Sequence, residues 1–414
     1  MSTKAPQRLL FVDTLRGLAV LYMIQLHTSH GWLLPNARHG DYWDATQFFG
    51  GLAAPLFLLL AGAGLGLQWS SAATTSAADT SRALARGAQL IVLGYGLRLQ
   101  MWIIDGAAYA RHITYPGVIS LIGGYGLAYF CTFRLARAER CAVWQPLTAA
   151  AAIGAGLAWA FVFDPRRAEG LIRVDVLQCI GASLMLLSLL GARAERRRLR
   201  HFAALAVCVA LATPWMQSWV PGPLPDAIAG YLAQWPSADG QRVIALFPLF
   251  PWLAFAAIGV VIGLAWGRAQ AAAELESMLV RQIALGAAIA LLANPAWVPA
   301  RWIATPEPIA ALLRLIYKAA LCCAMIGPAL ALSRAPKSIR APFALLGRAS
   351  LLVYWVHLEF AFGTVSRPLS RSLAISGWAC GTIVLCGCMW GLAALRNTRH
   401  ATSIRGVLSR PVTG

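Results

Sequence analysis

Acidic side chains are scarce in this sequence, with 16 Asp and Glu among 414 residues, and charged residues of both signs make up only 12%. A disordered chain is excluded, because 59% of the residues are apolar. An ordinary soluble enzyme is disfavoured, since it would need more polar residues to cover its outer surface. The class that remains is a membrane domain.

Several motifs of soluble enzymes are also missing. The sequence has no Walker-type glycine loop and no dinucleotide fingerprint that follows a strand. Its nine cysteines form no Cys-x-x-Cys motif and lack metal-ligand spacing, so we predict neither a metal site nor disulfides. The apolar runs do not alternate with polar residues as the strands of a membrane β-barrel do.

Twelve apolar segments have about the length that a membrane-spanning helix needs. They predict an all-α, polytopic integral membrane protein: a single bundle of 11–12 transmembrane helices. The ninth segment is short and ends at Asn294, which leaves eleven spans as the alternative. We assign residues 1–400 to one transmembrane domain and 401–414 to a cytoplasmic tail. The segments are 9–28, 47–69, 84–104, 114–133, 142–163, 174–191, 202–219, 247–267, 280–294, 309–332, 343–364 and 373–395.

Most Lys and Arg residues fall in every second linker between these segments, including the run from Arg193 to Arg200. The positive-inside rule then places the N-terminus in the cytoplasm. The net charge of +19 is thereby explained by short membrane-flanking linkers. We therefore expect contact with anionic membrane lipids and no binding of nucleic acid.

The first segment carries ionisable residues at membrane depth, where such groups are expensive and are functional candidates. Asp13 and Arg16 lie one turn apart, and His27 follows eleven residues after Arg16. Eleven residues are close to three full turns, so Arg16 and His27 share a helix face roughly 16 Å apart. His30 lies one turn further, at the outer surface. The alternative is a local ion pair between Asp13 and Arg16 and an interfacial histidine.

The loop after this segment contains Arg38, His39, Asp41 and Asp44. A carboxylate near a histidine can fix its tautomer and raise its basicity, which is the role we predict for Asp44. For Arg38, His39 and Asp41 the competing interpretation is a solvated loop.

Three later segments carry further candidates. Tyr354 and His357 share a face of the eleventh segment, and His357 and Glu359 are predicted to lie level with His27. Arg314 and Lys318, one turn apart in the tenth segment, are candidates for holding an anion or for snorkelling. Arg98 in the third segment is predicted to pair with Asp105, two turns away.

At this point the sequence resembles a known family. Residues 8–27, in which ten residues separate Arg16 from His27, resemble the first span of the bacterial relatives of heparan-alpha-glucosaminide N-acetyltransferase. The spacing of Arg16 and His27 is also similar to that of the wider membrane acyltransferase type 3 group. Four more stretches resemble this family in the same order: 53–62, 176–181, 247–252 with Gly259, and 350–357.

The resemblance implies a membrane acetyltransferase that uses cytoplasmic acetyl-CoA as co-substrate. The acceptor would be an amine or hydroxyl of a sugar or glycan on the periplasmic side of a bacterial inner membrane. His27 matches the catalytic histidine, as general base or acetyl carrier. Human-type members use a histidine in the following loop instead, which makes His39 a rival and His30 a weaker one. Cys179 stands where the family usually has arginine.

The remaining candidates fit this chemistry. Arginine can bind the phosphates of coenzyme A, and a histidine of ordinary pKa, about 6.5, can take a proton from an acceptor. His357 is added to the catalytic group with Asp44. The residues that we assign to donor binding are Arg16, Asp13, Arg98, Arg314 and Lys318. Those that we assign to acceptor binding are Gln178, Tyr354, Glu359 and Trp252.

A second hypothesis is a transporter or flippase for a sugar or a lipid-linked intermediate. Such proteins often contain two halves related by internal symmetry, and none is visible here. Binding of acyl-CoA would distinguish the two hypotheses, since only the enzyme requires it. The sequence leaves the acceptor open, and also the oligomeric state, with a homodimer among the options.

Overall fold

The structure is a computed structural model, and it describes residues 9–70, 77–108, 115–137, 139–163, 165–193, 197–218, 224–234, 245–294 and 307–408. Within these residues the chain forms seventeen α-helices and no β-strand. The helices are α1 Leu10–Trp32, α2 Asp41–Gly50, α3 Ala53–Ser70, α4 Ala77–Ala108, α5 Tyr115–Ala136, α6 Trp144–Phe163, α7 Pro165–Ile172, α8 Val176–Arg193, α9 Arg198–Ser218, α10 Asp226–Leu232, α11 Leu249–Ala271, α12 Leu275–Leu292, α13 Glu307–Ala324, α14 Ile326–Arg334, α15 Lys337–Arg348, α16 Ser350–Phe362 and α17 Ile375–Leu408.

Helices occupy all twelve predicted segments, which confirms an all-α polytopic membrane protein. In the described part of the chain, nine helical stretches are long and apolar enough to cross a membrane. The bent pair α15 and α16 makes a tenth if it is one broken span. Helices α1 and α8 have 23 and 18 residues but fall outside that set. A total of twelve spans would require both of them to cross.

The chain divides into two compact units that the sequence did not indicate. Unit 1 comprises residues 1–56 and 325–414, and unit 2 comprises residues 57–324. The last helix, α17, continues to Leu408, whereas the cytoplasmic tail was predicted to begin at residue 401.

Unit 1 is built around α1, which packs against α14, α15 and α16 and also contacts α2 and α17. Glycines let these helices approach closely. A Cβ atom on Gly17 would lie 2.1 Å from the carbonyl oxygen of Phe343 in α15. One on Gly31 would lie 2.2 Å from the carbonyl oxygen of Ala361 in α16. Any larger side chain at either position would therefore push α1 away from its neighbour.

Unit 2 contains four main helix pairs: α4 with α8, α5 with α6, α9 with α11, and α12 with α13. Small residues also let α3 approach α11 closely, because a Cβ on Gly62 would lie 1.9 Å from the carbonyl oxygen of Ala256 in α11. A separate apolar cluster contains Leu99, Leu121 and Leu171, which are nearly fully buried.

Candidate active site

Two histidines that lie 330 residues apart in the sequence form the centre of unit 1. Nδ1 of His27 in α1 is 2.8 Å from Nε2 of His357 in α16. The two rings are nearly parallel, at 4°, with centroids 5.1 Å apart. Parallel rings at that separation and with this N···N distance lie end to end. His357 is fully buried, whereas His27 is partly exposed.

The backbone of α16 decides which nitrogen of each ring carries hydrogen. Nδ1 of His357 lies 2.8 Å from the carbonyl oxygen of Val353, one turn earlier. A carbonyl can only accept, so Nδ1 of His357 is the protonated nitrogen and its Nε2 has a lone pair when the ring is neutral. His27 must then donate its Nδ1–H to that lone pair. The consequence is that Nε2 of His27 keeps a lone pair of its own.

Aromatic rings flank the histidine pair. The Phe362 ring lies 5.5 Å from that of His27, and the Tyr354 ring meets that of His357 edge-on at 5.8 Å. Tyr354 is only 8% exposed. Nearby, Nε1 of Trp32 donates to the carbonyl oxygen of Phe360 at 3.0 Å, which ties the end of α1 to α16. The pair is therefore held by packing on one side and by backbone contacts on the other.

A second polar cluster lies in unit 2, where α4 meets α8. The guanidinium of Arg98 donates to the carboxylate of Asp175, which directly precedes α8. Gln178 is fully buried and accepts from the backbone N–H of Asp175 at 3.3 Å. Nε of Arg98 and Nε2 of Gln178 are buried and have no hydrogen-bond partner among the described residues. Two N–H donors of this cluster are thus buried without an acceptor among the described residues.

Comparison with known proteins places the chain in a family. Residues 8–166 and 145–294 match the model of the family described as heparan-alpha-glucosaminide N-acetyltransferase, catalytic. The chain belongs to this family. Among curated proteins no match was found. Membership points to a membrane acetyltransferase that acts on sugars. His27 lies inside the matched residues of this N-acetyltransferase family, and His357 lies beyond them.

The residues predicted to act on His27 from the loop after α1, Asp44 and His39, are not among the residues that contact its ring. Asp44 and His39 are exposed, and the polar and ring contacts of His27 are with His357 and Phe362. His357 rather than a carboxylate therefore contacts Nδ1 of His27. His30 is exposed, accepts or donates a hydrogen bond to Gln47 at 2.9 Å, and contacts the ring of Trp43.

In the loop after α1, His39 and Asp41 are exposed, as the solvated-loop interpretation expected, whereas Arg38 is half-buried and caps the end of α1. Its guanidinium donates to the carbonyl oxygens of His30 and Leu33 at 2.8 and 2.9 Å. At the opposite end of α1, Arg16 and the buried Asp13 form the predicted ion pair at 3.8 Å.

The other predicted residues occupy separate places. Glu359 is partly buried in α16, two residues after His357. In unit 2, Trp252 stacks at an angle between Phe247 and Phe255. Arg314 and Lys318 are exposed side chains one turn apart on α13. The described residues contain no group of three or more His, Cys, Asp or Glu side chains able to hold a metal ion.

Asp175 was missed as a partner of Arg98 in the sequence analysis. Arg98 has Asp175 as its partner, where the sequence suggested Asp105, whose side chain lies outside the described residues. Asp175 also has Arg173 at 3.8 Å. The position of Asp175, directly before the 176–181 stretch, was the available signal. The cluster continues at Tyr231 in α10, which accepts from Tyr95 at 3.0 Å, and burial raises the pKa of the Tyr231 phenol, so it stays protonated.

Proposed function

We propose that this family member transfers an acetyl group from acetyl-CoA to an amine or hydroxyl of a sugar, and that Nε2 of His27 is the reactive protein atom. The observation that supports this is the hydrogen-bond chain from Val353 through His357 to His27. It presents an unprotonated nitrogen on the partly exposed ring of the pair, which is the state that a general base or nucleophile requires.

Two routes use the same nitrogen. As a general base, Nε2 takes a proton from the acceptor while the acceptor's oxygen or nitrogen attacks the thioester carbonyl. The C–S bond then breaks and coenzyme A leaves as the thiolate. As an acetyl carrier, Nε2 itself attacks the carbonyl, the C–S bond breaks and coenzyme A leaves as the thiolate. The acceptor then attacks the acetyl carbon, the C–N bond to Nε2 breaks, and the freed Nε2 takes the acceptor's proton.

His357 supports both routes without entering the reaction. When Nε2 of His27 gains a proton or an acetyl group, the ring becomes cationic and its Nδ1–H becomes a stronger donor. Nε2 of His357 lies 2.8 Å away and is the acceptor for that hydrogen. The Val353 carbonyl holds the proton of His357 on Nδ1. Nε2 of His357 therefore stays an acceptor, because moving the proton to Nε2 would break the hydrogen bond to Val353.

Donor binding is assigned to cations. Arg16 lies on the face of α1 that carries His27, about 16 Å away along the axis, which suits the long arm of coenzyme A. Its ion pair with Asp13 fixes the guanidinium. The other cations predicted to bind the donor, Arg98, Arg314 and Lys318, lie in unit 2, and their role stays a prediction. We place Arg16 and the donor on the cytoplasmic side, which the charge pattern predicts, and we propose a bacterial inner membrane.

Acceptor binding is assigned to polar and aromatic side chains. Tyr354 and Glu359 lie within two turns of α16 around His357. Gln178 and Trp252, which are also predicted to bind the acceptor, lie in unit 2, and their role stays a prediction. We place the acceptor on the periplasmic side, opposite the arginine-rich linkers.

The test uses purified protein in sealed vesicles with radiolabelled acetyl-CoA outside and glucosamine inside, or the reverse. We expect label on the sugar only in the presence of protein and in only one of the two arrangements. If the protein moves glucosamine across the vesicle membrane without acetyl-CoA and never labels it, the proposed acetyltransferase activity is contradicted and a transporter is favoured.

A further inference from the structure

An apolar cavity lies in unit 2 among α9, α11, α12 and α13. Its volume is about 420 Å³. Among the described residues of its wall, the amide side chain is Gln282. Its oxygen accepts from Nε1 of Trp266 at 2.8 Å, and its nitrogen contacts Sγ of Cys323 at 3.5 Å. Because both ends of that amide are already engaged, the wall favours a hydrocarbon ligand.

The cavity opens toward the surface that a membrane would cover. All four helices belong to stretches long and apolar enough to cross a membrane. Wall residues on three of them are exposed: Val207 by 47%, Leu285 by 62% and Ile316 by 37%. A contiguous apolar surface of this kind, at hydrocarbon depth, is accessible to the acyl chains of lipids.

Two arginines extend the cavity wall at one end. On α9 the wall contains Ala203 and Val207, and Arg200 lies one turn before Ala203 on the same face. On α12 the wall contains Leu285, and Arg281 lies one turn before it. Both arginines are exposed.

These arginines lie at the same end of the cavity. Successive spans alternate in direction, so α9 and α12, which are separated by α11, run the same way. Arg200 and Arg281 each stand near the start of their helix. His201 is a further basic group at this end. The nearest acidic residues on this part of the chain, Glu274 and Glu276, precede Arg281 by more than one helical turn, at the start of α12.

We propose that this cavity binds an acyl chain of an anionic phospholipid, whose phosphate contacts Arg200 and Arg281. The apolar wall accommodates the chain, and the two cations select a negative headgroup. The arginine-rich linker before α9 places the headgroup in the leaflet on that side of the membrane. This site does not depend on the acetyl-transfer reaction.

Photo-crosslinking of the full-length protein tests the proposal. The protein is reconstituted into nanodiscs of equal phosphatidylcholine and phosphatidylglycerol, with a trace of phosphatidylglycerol that carries a diazirine in its acyl chain. After irradiation, modified peptides are mapped by mass spectrometry. We expect label concentrated on α9 and α12, displaced by unlabelled phosphatidylglycerol and not by phosphatidylcholine. Arg200→Gln and Arg281→Gln should each weaken this labelling about fivefold.

Matched variants separate the cavity from its surroundings. Ala203→Phe fills the cavity and should remove the label from α12, whereas Ala204→Phe changes a neighbouring exposed alanine outside the wall and should not. Leu285→Trp fills the same space from α12 if Ala203→Phe does not fold. Arg396→Gln on α17 is the charge control. Two results would overturn the proposal. One is label spread equally over the other lipid-facing helices, and the other is labelling that neither the cavity-filling variants nor the choice of headgroup changes.

Discussion

At the scale of single residues, His357 should act by positioning His27. Replacing it by leucine removes the acceptor for the Nδ1–H of His27, so the hydrogen can move to Nε2 and block the reactive nitrogen. We expect His357→Leu to lower kcat by roughly 10²-fold with little change in KM. Steady-state kinetics with acetyl-CoA and glucosamine measure both constants.

The matched variant for this prediction is His357→Gln, which restores an acceptor oxygen. It should recover part of the lost kcat. If the leucine and glutamine variants are equally impaired, or if only KM changes, His357 has a different role from the one assigned here.

The sequence predicted the two histidines separately but not the bond between them. Helical spacing placed His27 on the face of Arg16, and the depth of His357 suggested a shared level. What fixes the tautomer is the carbonyl of Val353, a backbone group that every residue has and that leaves no signal in the sequence. Asp44 was predicted for that orienting role because carboxylates commonly fill it, yet the fold presents the second imidazole to His27.

At the scale of helices, the packing of α1 depends on two close contacts with α15. A Cβ on Gly17 would meet the carbonyl of Phe343, and one on Gly347 would lie 1.9 Å from the carbonyl oxygen of Asp13. We expect Gly17→Ala to destabilise the protein by about 1–3 kcal/mol, because α1 must shift to admit the methyl group. Thermal unfolding in detergent, followed by circular dichroism, measures this change.

The control for this change is Gly387→Ala in α17, which makes the same substitution in the same unit. Among the described residues, nothing lies within 4 Å of a Cβ at Gly387. Its thermal stability should equal or slightly exceed that of the wild type, since alanine favours helix. Equal destabilisation by both variants would mean that helix contacts are not the cause.

Apolar length was sufficient to predict where helices occur but not where they break. The segment 343–364 was expected to be one span, whereas α15 ends at Arg348 and α16 begins at Ser350 with a bend of 82° between them. No proline or glycine stands at Ala349 to mark the break. It arises where α15 and α16 each pack against α1, and such tertiary contacts are not encoded in local hydropathy.

At the scale of the whole molecule, the arginine-rich linkers predict the orientation. In a Cys141→Ser background, a cysteine replacing Arg140, between α5 and α6, should be protected from an impermeant maleimide in intact cells. One replacing Ser370, between α16 and α17, should react. If only the cysteine at position 140 reacts, the orientation is the reverse of the predicted one. If both positions react from outside, the number of spans between them differs from the predicted number.

The division into two units shows what composition cannot reveal. Both units are equally apolar helical bundles, so no shift in composition or linker marks the boundary at residues 56 and 325. The family match ends at residue 294, before the helices that supply His357. Joining His27 to His357 therefore required the three-dimensional packing of the first and last parts of the chain.

The most direct test of the central claim is acetyl-CoA turnover by the wild type beside His27→Ala and His30→Ala. Purified proteins in nanodiscs would be given radiolabelled acetyl-CoA and glucosamine, and release of free coenzyme A would be followed together with donor binding. The account predicts that His27→Ala binds acetyl-CoA but loses about 10²–10⁴-fold in turnover, while His30→Ala stays active. Wild-type turnover by His27→Ala, or an inactive His30→Ala, would contradict it.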